Sequence, residues 1–258
     1  MPKKLLSLND HTQDILDARR RSHAGRFQAV PVGTELVGDV VANSCSAVAN
    51  AFVAEGFRWA KSGLRFSRKI GPFTHIVSFQ SDGANTSGCH VAVAMHAQVR
   101  SSALEKWRKS NGAAEGANVW ITQVGYLTPA HEYLKWQLVD PATRADEINN
   151  MIKTVRSIVL PAFDVCSTTT SLSDRILERR EIVWTPDWAA DIALWVGNKD
   201  AAESLVRIFL ESKPHLVPLF LSEYERQRLT PLQTKPVEGL QSLVWLCINQ
   251  SLRIPNAG

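Results

Sequence analysis

Three histidines, His75, His90 and His96, are the residues whose spacing best suits chemistry. His90 and His96 are six positions apart on one predicted strand, so they share a face but lie roughly 20 Å apart. That separation prevents both from binding one metal ion, although either could come within about 5.5 Å of His75 on a neighbouring strand. No Asp or Glu lies in these strands. We therefore predict hydrogen-bonded histidines and no metal site.

A thiol beside a base is the second arrangement that could do chemistry, and Cys89 directly precedes His90. Neighbours in a strand point to opposite faces, so the two cannot form a nucleophile–base pair, and Cys89 is predicted to be a core thiol. Glycine-rich phosphate loops, G-x-S-x-G, H-E-x-x-H and C-x-x-C are all missing. We predict no catalytic residue and no cofactor, which favours a non-enzyme without excluding a site built from scattered residues.

The stretch "GFRWAKSGLRFSRKIGPFTHIVSFQ", residues 56–80, holds five Lys or Arg residues and no Asp or Glu. In a strand from Leu64, Arg65 and Lys69 share one face, while Phe66 and Arg68 share the other. The charge thus divides between two faces, as in a strand whose cations discourage edge-to-edge pairing. Single-strand binders typically interleave stacking rings with a basic groove, and only Trp59 and Phe66 are near.

The periodicity of apolar residues predicts the elements that carry these groups. Helical spacing runs from Glu35 to Glu55, and Gly56 suits the left-handed residue that ends a helix. Asp140 and Pro141 suit the N-cap and first position of a later helix, and helical spacing continues to the C-terminus. Strand-like alternation predicts five strands, over residues 64–70, 73–80, 89–99, 119–127 and 132–139.

Strands grouped before helices predict an α+β fold, with an antiparallel sheet of about five strands, flanking helices and a helical C-terminal segment. The predicted organisation is an N-terminal arm (1–34), a sheet domain (35–186) and a helical segment packed on it (187–258). The net charge of +4 and pI near 8.9 are only mildly basic. No signal peptide or apolar span is recognised, so we expect a cytoplasmic protein with reduced cysteines and no membrane contact.

The same basic stretch, together with "CHVAVAMHAQV", resembles a family of uncharacterised bacterial α+β domains. "LPAFD", from Leu160, resembles a later part of the family, and the resemblance covers about residues 45 to 180. This chain departs in its longer N-terminal arm and its helical C-terminal segment. Members of the family are considered candidate immunity proteins in polymorphic toxin systems. The resemblance implies no catalytic residues for this chain. The positions that match are Gly56, Phe57, Phe66, Arg68, Phe79 and Gln80.

The resemblance implies a non-enzymatic immunity or antitoxin-like protein that blocks a bacterial protein partner. Binding residues are expected among the aromatic, Arg and His side chains, because interfaces favour Trp and Arg as anchors. The alternative is an enzyme or nucleic-acid-acting protein that uses the basic stretch 58–69 and the nearby histidines. It predicts a basic pocket beside Ala92 and Ala94. The candidate binding residues are Trp59, Arg65, Arg68, His75, His90, His96, Trp107, Trp184 and Trp188.

Overall fold

The computed structural model describes residues 35–112, 116–177, 185–236 and 239–254. Two sequence predictions, the N-terminal arm (1–34) and the binding role of Trp184, fall outside these residues. Within them the chain forms an antiparallel sheet of six strands, and its C-terminal half is mostly helical. The predicted α+β fold is confirmed.

The strands, in chain order, are β1 Arg58–Ala60, β2 Arg65–Ile70, β3 Phe73–Ser81, β4 Ala92–Arg100, β5 Asn118–Gln123 and β6 Trp136–Gln137. The helices are α1 Val37–Asn50, α2 Ser102–Ser110, α3 Pro141–Thr154, α4 Leu160–Asp164, α5 Thr169–Arg175, α6 Pro186–Trp195, α7 Lys199–Ser212, α8 Val217–Leu229 and α9 Leu240–Asn249. A π-helical stretch, Val155–Val159, joins α3 to α4.

The strand order is β1-β2-β3-β4-β5, and β6 pairs with β4 beside this path. β1 was not predicted from the sequence. It pairs antiparallel with β2, with Arg58 opposite Ser67 and Ala60 opposite Arg65. As the first strand in this order, β1 leaves one of its edges without a neighbouring strand among the described residues.

Gly56 and Asp140 have local backbone roles that their residue types favour. α1 ends at Asn50, earlier than the predicted Glu55, and Gly56, with φ of 82°, instead closes the turns that follow it in the left-handed conformation open to glycine. The carboxylate of Asp140 accepts a hydrogen bond from the N–H of Ala142 at 2.9 Å, and Pro141 occupies the first turn of α3. The predicted N-cap is therefore confirmed.

Three predicted strands differ from the structure by three residues or more, and the strand predicted for 89–99 begins only at Ala92, so His90 lies before the strand that carries His96. The strand predicted for 119–127 ends at Gln123, and Val124–Leu127 forms a 3-10 turn instead. Of the strand predicted for 132–139, only Trp136–Gln137 is paired. The alternation of apolar residues continues in the sequence beyond Gln123, where the chain reverses. The backbone forms no strand there, because hydrogen bonds of the Gln123 side chain replace the backbone ladder.

The chain groups into two compact units that do not follow its order. The first comprises the described residues of Met1–Arg68, Ile76–Ala97 and Thr122–Pro161. The second comprises those of Lys69–His75, Gln98–Ile121 and Ala162–Gly258. Each unit has aromatic rings in its core, with Phe52 and Phe66 stacked at 5.4 Å in the first and Trp120 beside Phe163 at 5.6 Å in the second.

Candidate functional site

The segment between β5 and β6, residues 124–135, is held in shape by the side chain of Gln123. This residue is 4% exposed. Its Nε2 donates to the carbonyl of Leu134 at 2.6 Å, and its Oε1 accepts from the N–H groups of Gly125 at 2.7 Å and Leu134 at 3.3 Å. One buried carboxamide therefore ties together both ends of this segment, which we call the tyrosine loop.

Gly125 is required where the two arms of the tyrosine loop meet. A Cβ at this position would lie 1.9 Å from the carbonyl oxygen of Glu132 and 2.7 Å from Cγ of Leu134. The hydroxyl of Thr128 donates to the Gly125 carbonyl at 2.7 Å and closes the 3-10 turn. A larger residue would push the arms apart, because backbone atoms lie on the opposing side.

Two tyrosines stand on the outside of this loop. Tyr126 and Tyr133 are 38% and 44% exposed, and their rings meet edge-to-face with centroids 6.4 Å apart. The ring of His131 lies 5.3 Å from that of Tyr126, and its Nδ1 is 2.9 Å from the Tyr126 carbonyl oxygen. Solvent-facing tyrosines on a braced loop are typical of protein-binding anchors, since they offer large contact area and lose little side-chain freedom on binding.

An ion pair borders the tyrosines. Asp82 follows β3, and its Oδ2 accepts from Nζ of Lys135 at 2.6 Å, while Nζ lies 5.9 Å from the Tyr133 ring centroid. Nε2 of His90 is 3.6 Å from the same oxygen. The hydrogen bond from Lys135, followed by that from the N–H of Ala84, lowers the pKa of Asp82 to about 2. The hydrogen bond to Asp82 in turn raises the pKa of Lys135.

We call Asp82, Tyr126, His131, Tyr133 and Lys135 the tyrosine surface. At neutral pH its carboxylate is ionised and its ammonium is protonated, so neither is ready to remove a proton from a substrate. A general base or nucleophile must change its protonation state during reaction, and the Asp82–Lys135 pair resists that change. The arrangement is suited to binding, with aromatic area for contact and a fixed pair of charges for orientation.

A cavity of about 70 Å³ lies beside the ion pair. Pockets for small organic ligands are roughly 300–1,000 Å³, so this space suits ordered water rather than an enclosed substrate. The alternative hypothesis predicts a basic pocket beside Ala92 and Ala94, but the cavity touches Ala94 only, and its charges form a balanced pair. Its lining includes Gln80, Ser81, Asp82, Ala94, Tyr133 and Lys135.

The basic stretch divides its charge as the alternation predicts. Arg65 is exposed, whereas Arg68 is half-buried, donates to the carbonyl of Glu55 at 3.3 Å and lies 4.7 Å above the Phe57 ring. Trp59 is also half-buried, with its ring edge-to-face against Phe79 at 6.1 Å. Of these three candidate binding residues, Arg65 alone presents an exposed side chain.

The candidate histidines have three different environments. His75 is 1% exposed, with Nε2 3.2 Å from the Cys166 carbonyl oxygen and its ring stacked 4.6 Å from Phe163. It is therefore a core residue of its unit, and a binding role for it stays a prediction. Nε2 of His90 lies 3.6 Å from Oδ2 of Asp82, beside the Asp82–Lys135 pair. His96 is half-buried on β4, and burial lowers its pKa.

The candidate tryptophans that the structure describes are half-buried. Besides Trp59, these are Trp107 on α2 and Trp188 on α6. The indole N–H of Trp188 donates to the carbonyl of Asn118 at 3.2 Å, which occupies its polar atom within the fold. A binding role for the tryptophans stays a prediction, and packing accounts for their observed positions.

Cys89 corrects one sequence prediction. It was predicted to be a core thiol, yet it is exposed, because it lies in the turn that precedes β4 rather than in the strand itself. The N–H of Cys89 bonds to the Thr86 carbonyl at 3.1 Å within that turn. Burial raises the pKa of each remaining thiol to about 12, namely Cys45, Cys166 and Cys247.

Among the residues that the structure describes, no group of three or more His, Cys, Asp or Glu side chains is arranged to hold a metal ion. None of the helices described is both long enough and apolar enough to cross a membrane.

The sequence analysis missed Asp82, Tyr126, Tyr133 and Lys135. The signal available was "VGYLTPAHEYLK", in which Gly125 and Pro129 interrupt the alternation and the tyrosines flank a polar centre. Gly and Pro mark loops, and aromatic residues on a loop indicate contact with a partner. The pairing of Asp82 with Lys135 has no sequence signal, since 53 positions separate them.

The chain was compared with protein-family models, with curated proteins and with solved structures, and none of the three comparisons found a match.

Proposed function

We propose that this chain is a non-enzymatic binding protein of the immunity or antitoxin type, and that it blocks a bacterial protein partner through the tyrosine surface. The observation that carries the proposal is the pair of exposed tyrosines, Tyr126 and Tyr133, on a loop braced by Gln123 and Gly125. A braced loop is already in its bound shape, so association costs less ordering entropy.

The neighbouring charges support the same proposal. The Asp82–Lys135 pair can meet complementary charges on a partner, which sets orientation and raises the association rate. Its lowered and raised pKa values favour a permanent binding element over an acid–base catalyst. The immunity-type assignment rests in addition on the family resemblance of the stretch 56–80, which implies a toxin or effector as the partner.

The test uses the products of the genes that neighbour this one. Each is purified and titrated against the full chain by calorimetry, and each is co-expressed with it in a bacterial host. We expect one product to arrest growth alone, to bind this chain and to be neutralised by it. The double variant Tyr126→Ala/Tyr133→Ala should raise the Kd by about 30-fold or more, since loss of one such anchor costs ~2 kcal/mol.

Tyr224, a half-buried tyrosine on α8 in the other unit, provides the matched control. Tyr224→Ala should leave the Kd within about twofold of the wild-type value, as expected for a substitution that binding does not use. Two results would contradict the proposal. One is a Kd that the double variant changes no more than Tyr224→Ala does. The other is that no neighbouring product binds while the chain turns over a substrate or binds nucleic acid.

A further inference from the structure

We infer that the second edge of β1, together with the cations on the outer face of the hairpin formed by β1 and β2, is a docking surface for an extended acidic segment of a partner protein. We call residues 58–67 the basic hairpin. This surface shares no residue with the tyrosine surface, and the inference does not depend on the function proposed above.

The register of the hairpin gathers cations that the sequence leaves apart. Residues directly opposite each other in an antiparallel pair share a face. Arg58 opposite Ser67 and Ala60 opposite Arg65 therefore place both arginines on the same face, as diagonal neighbours about 7–8 Å apart. β1 itself was not predicted, so the sequence analysis did not include Arg58 in this group.

The turn of the hairpin adds a third cation. Lys61 begins the 3-10 turn Lys61–Gly63 and is exposed, as are Arg58 and Arg65. Nε of Arg65 would lie only 3.3 Å from a Cβ on Gly63, so its side chain folds back over this turn. None of the three cations forms an ion pair with any described residue. Their charge is therefore unneutralised in the part of the chain that the structure describes.

The position of the hairpin makes this charge accessible to a strand. β1 ends the strand order β1-β2-β3-β4-β5, and no described residue pairs with its second edge. An open strand edge binds extended polypeptide through backbone hydrogen bonds, and the side chains beside it select the sequence. Cations at such an edge repel a basic strand and attract one that carries carboxylates on alternate residues.

Acidic protein fits this surface better than the other occupants. A second copy of the same hairpin would bring like charges together, and the N-terminal residues 1–34 carry six Lys or Arg against three Asp. Proteins that bind single-stranded nucleic acid place aromatic rings among their cations, so that the bases can stack on them. Here Phe66 is 0% exposed, and Trp59 packs on Phe79 from the opposite face of the hairpin.

The test measures binding of a fluorescent peptide of alternating Glu and Thr to the full chain by anisotropy at low salt. Saturable one-to-one binding that weakens as salt rises is expected. Arg58→Glu/Arg65→Glu should raise the Kd about tenfold or more, since two attractions become repulsions. The control Lys106→Glu/Lys199→Glu alters two exposed lysines on other elements and changes the net charge equally. It should shift the Kd by about twofold at most.

A second peptide tests whether backbone hydrogen bonds at the edge of β1 contribute to binding. The same peptide with every backbone amide N-methylated has no N–H left to donate to a strand edge and should bind at least about tenfold more weakly. Equal binding of the methylated peptide, equal loss in the lysine control, or no binding at all would each overturn the inference. Tighter binding of a single-stranded oligonucleotide of equal charge would also overturn it, because the surface would then be one for nucleic acid. Circular dichroism of each variant shows that the sheet is intact.

Discussion

Replacing Asp191 by alanine should strongly destabilise the second unit, because its carboxylate lies between two buried cations. Asp191, on α6, is 1% exposed. Its Oδ2 accepts from Nε of Arg108 at 2.7 Å, and Nζ of Lys235 is 3.5 Å from its Oδ1. The side chains of Arg108 and Lys235 are 9% and 8% exposed, so water cannot replace the lost anion around either.

The magnitude follows from this burial. Removing one partner of a buried ion pair costs ~3–5 kcal/mol, since the other partner is left as an uncompensated charge. Arg108 also donates to the carbonyls of Gly116 at 2.9 Å and Asn118 at 3.0 Å, which hold its guanidinium in place when Asp191 is gone. For a chain of this size ~1 kcal/mol shifts the Tm by about 2–4 °C. The Asp191→Ala variant should therefore melt about 6–20 °C below the wild type.

The assay is urea unfolding followed by tryptophan fluorescence, with thermal unfolding as a second measurement. Glu211→Ala is the matched control, since Glu211 pairs with Arg207 on α7 with side chains 62% and 51% exposed. That loss should cost ~0.5 kcal/mol or less. If Asp191→Ala loses no more stability than Glu211→Ala, the buried pairs do not act as described.

A compensating variant separates charge from packing. Arg108→Met/Asp187→Asn/Asp191→Leu/Lys235→Met removes all four charges, since the buried Asp187 also interacts with Lys235, and it keeps most of the volume. It should recover most of the loss, because replacing a whole buried ionic group by uncharged residues is often neutral or stabilising. A quadruple variant as unstable as Asp191→Ala would show that lost packing or the backbone contacts of Arg108, and not the unpaired charge, cause the destabilisation.

Two further predictions concern exposure and pH. In the native protein, Cys89 should be the only thiol that an alkylating reagent modifies at neutral pH, because burial raises the pKa of the other three thiols to about 12. Mass spectrometry counts the labels, and a second rapidly labelled thiol would contradict the described burial. The pKa of Asp82 is lowered from 3.8 to about 2, so its stabilising contribution is complete above about pH 3.8 and is lost as the pH falls through about 2. The stability difference between wild type and Asp82→Asn, from urea unfolding at several pH values, should narrow over that interval, and a constant difference would refute the role given to Lys135.

Local signals accounted for much of the fold. Asp140 and Pro141 marked the start of α3 through amide capping, Gly56 marked the left-handed residue of the turns after α1, and alternation located β2, β3 and β4. Beyond β4 the alternation of apolar residues predicted two strands that are longer than the observed β5 and β6. The pattern shows which residues are apolar and not whether the backbone pairs. The short strand β1 escaped notice, because three residues are too few to establish a period.

The candidate site was predicted less well than the fold. Arg65 and Arg68 were assigned to opposite faces correctly, because strand alternation is local. His75 was offered as a binding residue but lies in a core, since a single histidine in an apolar strand does not reveal which neighbours cover it. Tyr126 and Tyr133 were overlooked, because the exposure of a loop residue depends on how the loop is braced.

The sequence by itself determined the α+β class, the start of α3, the positions of β2, β3 and β4, and the basic character of residues 56–80. These properties arise from interactions between residues close in the chain. Only the tertiary structure decided that Asp82 pairs with Lys135 and that Arg58 and Arg65 lie on one face of the β1–β2 hairpin. It also decided that Asp191 is buried between Arg108 and Lys235. These contacts join segments distant in the chain, and their energies depend on burial and geometry that no local pattern encodes.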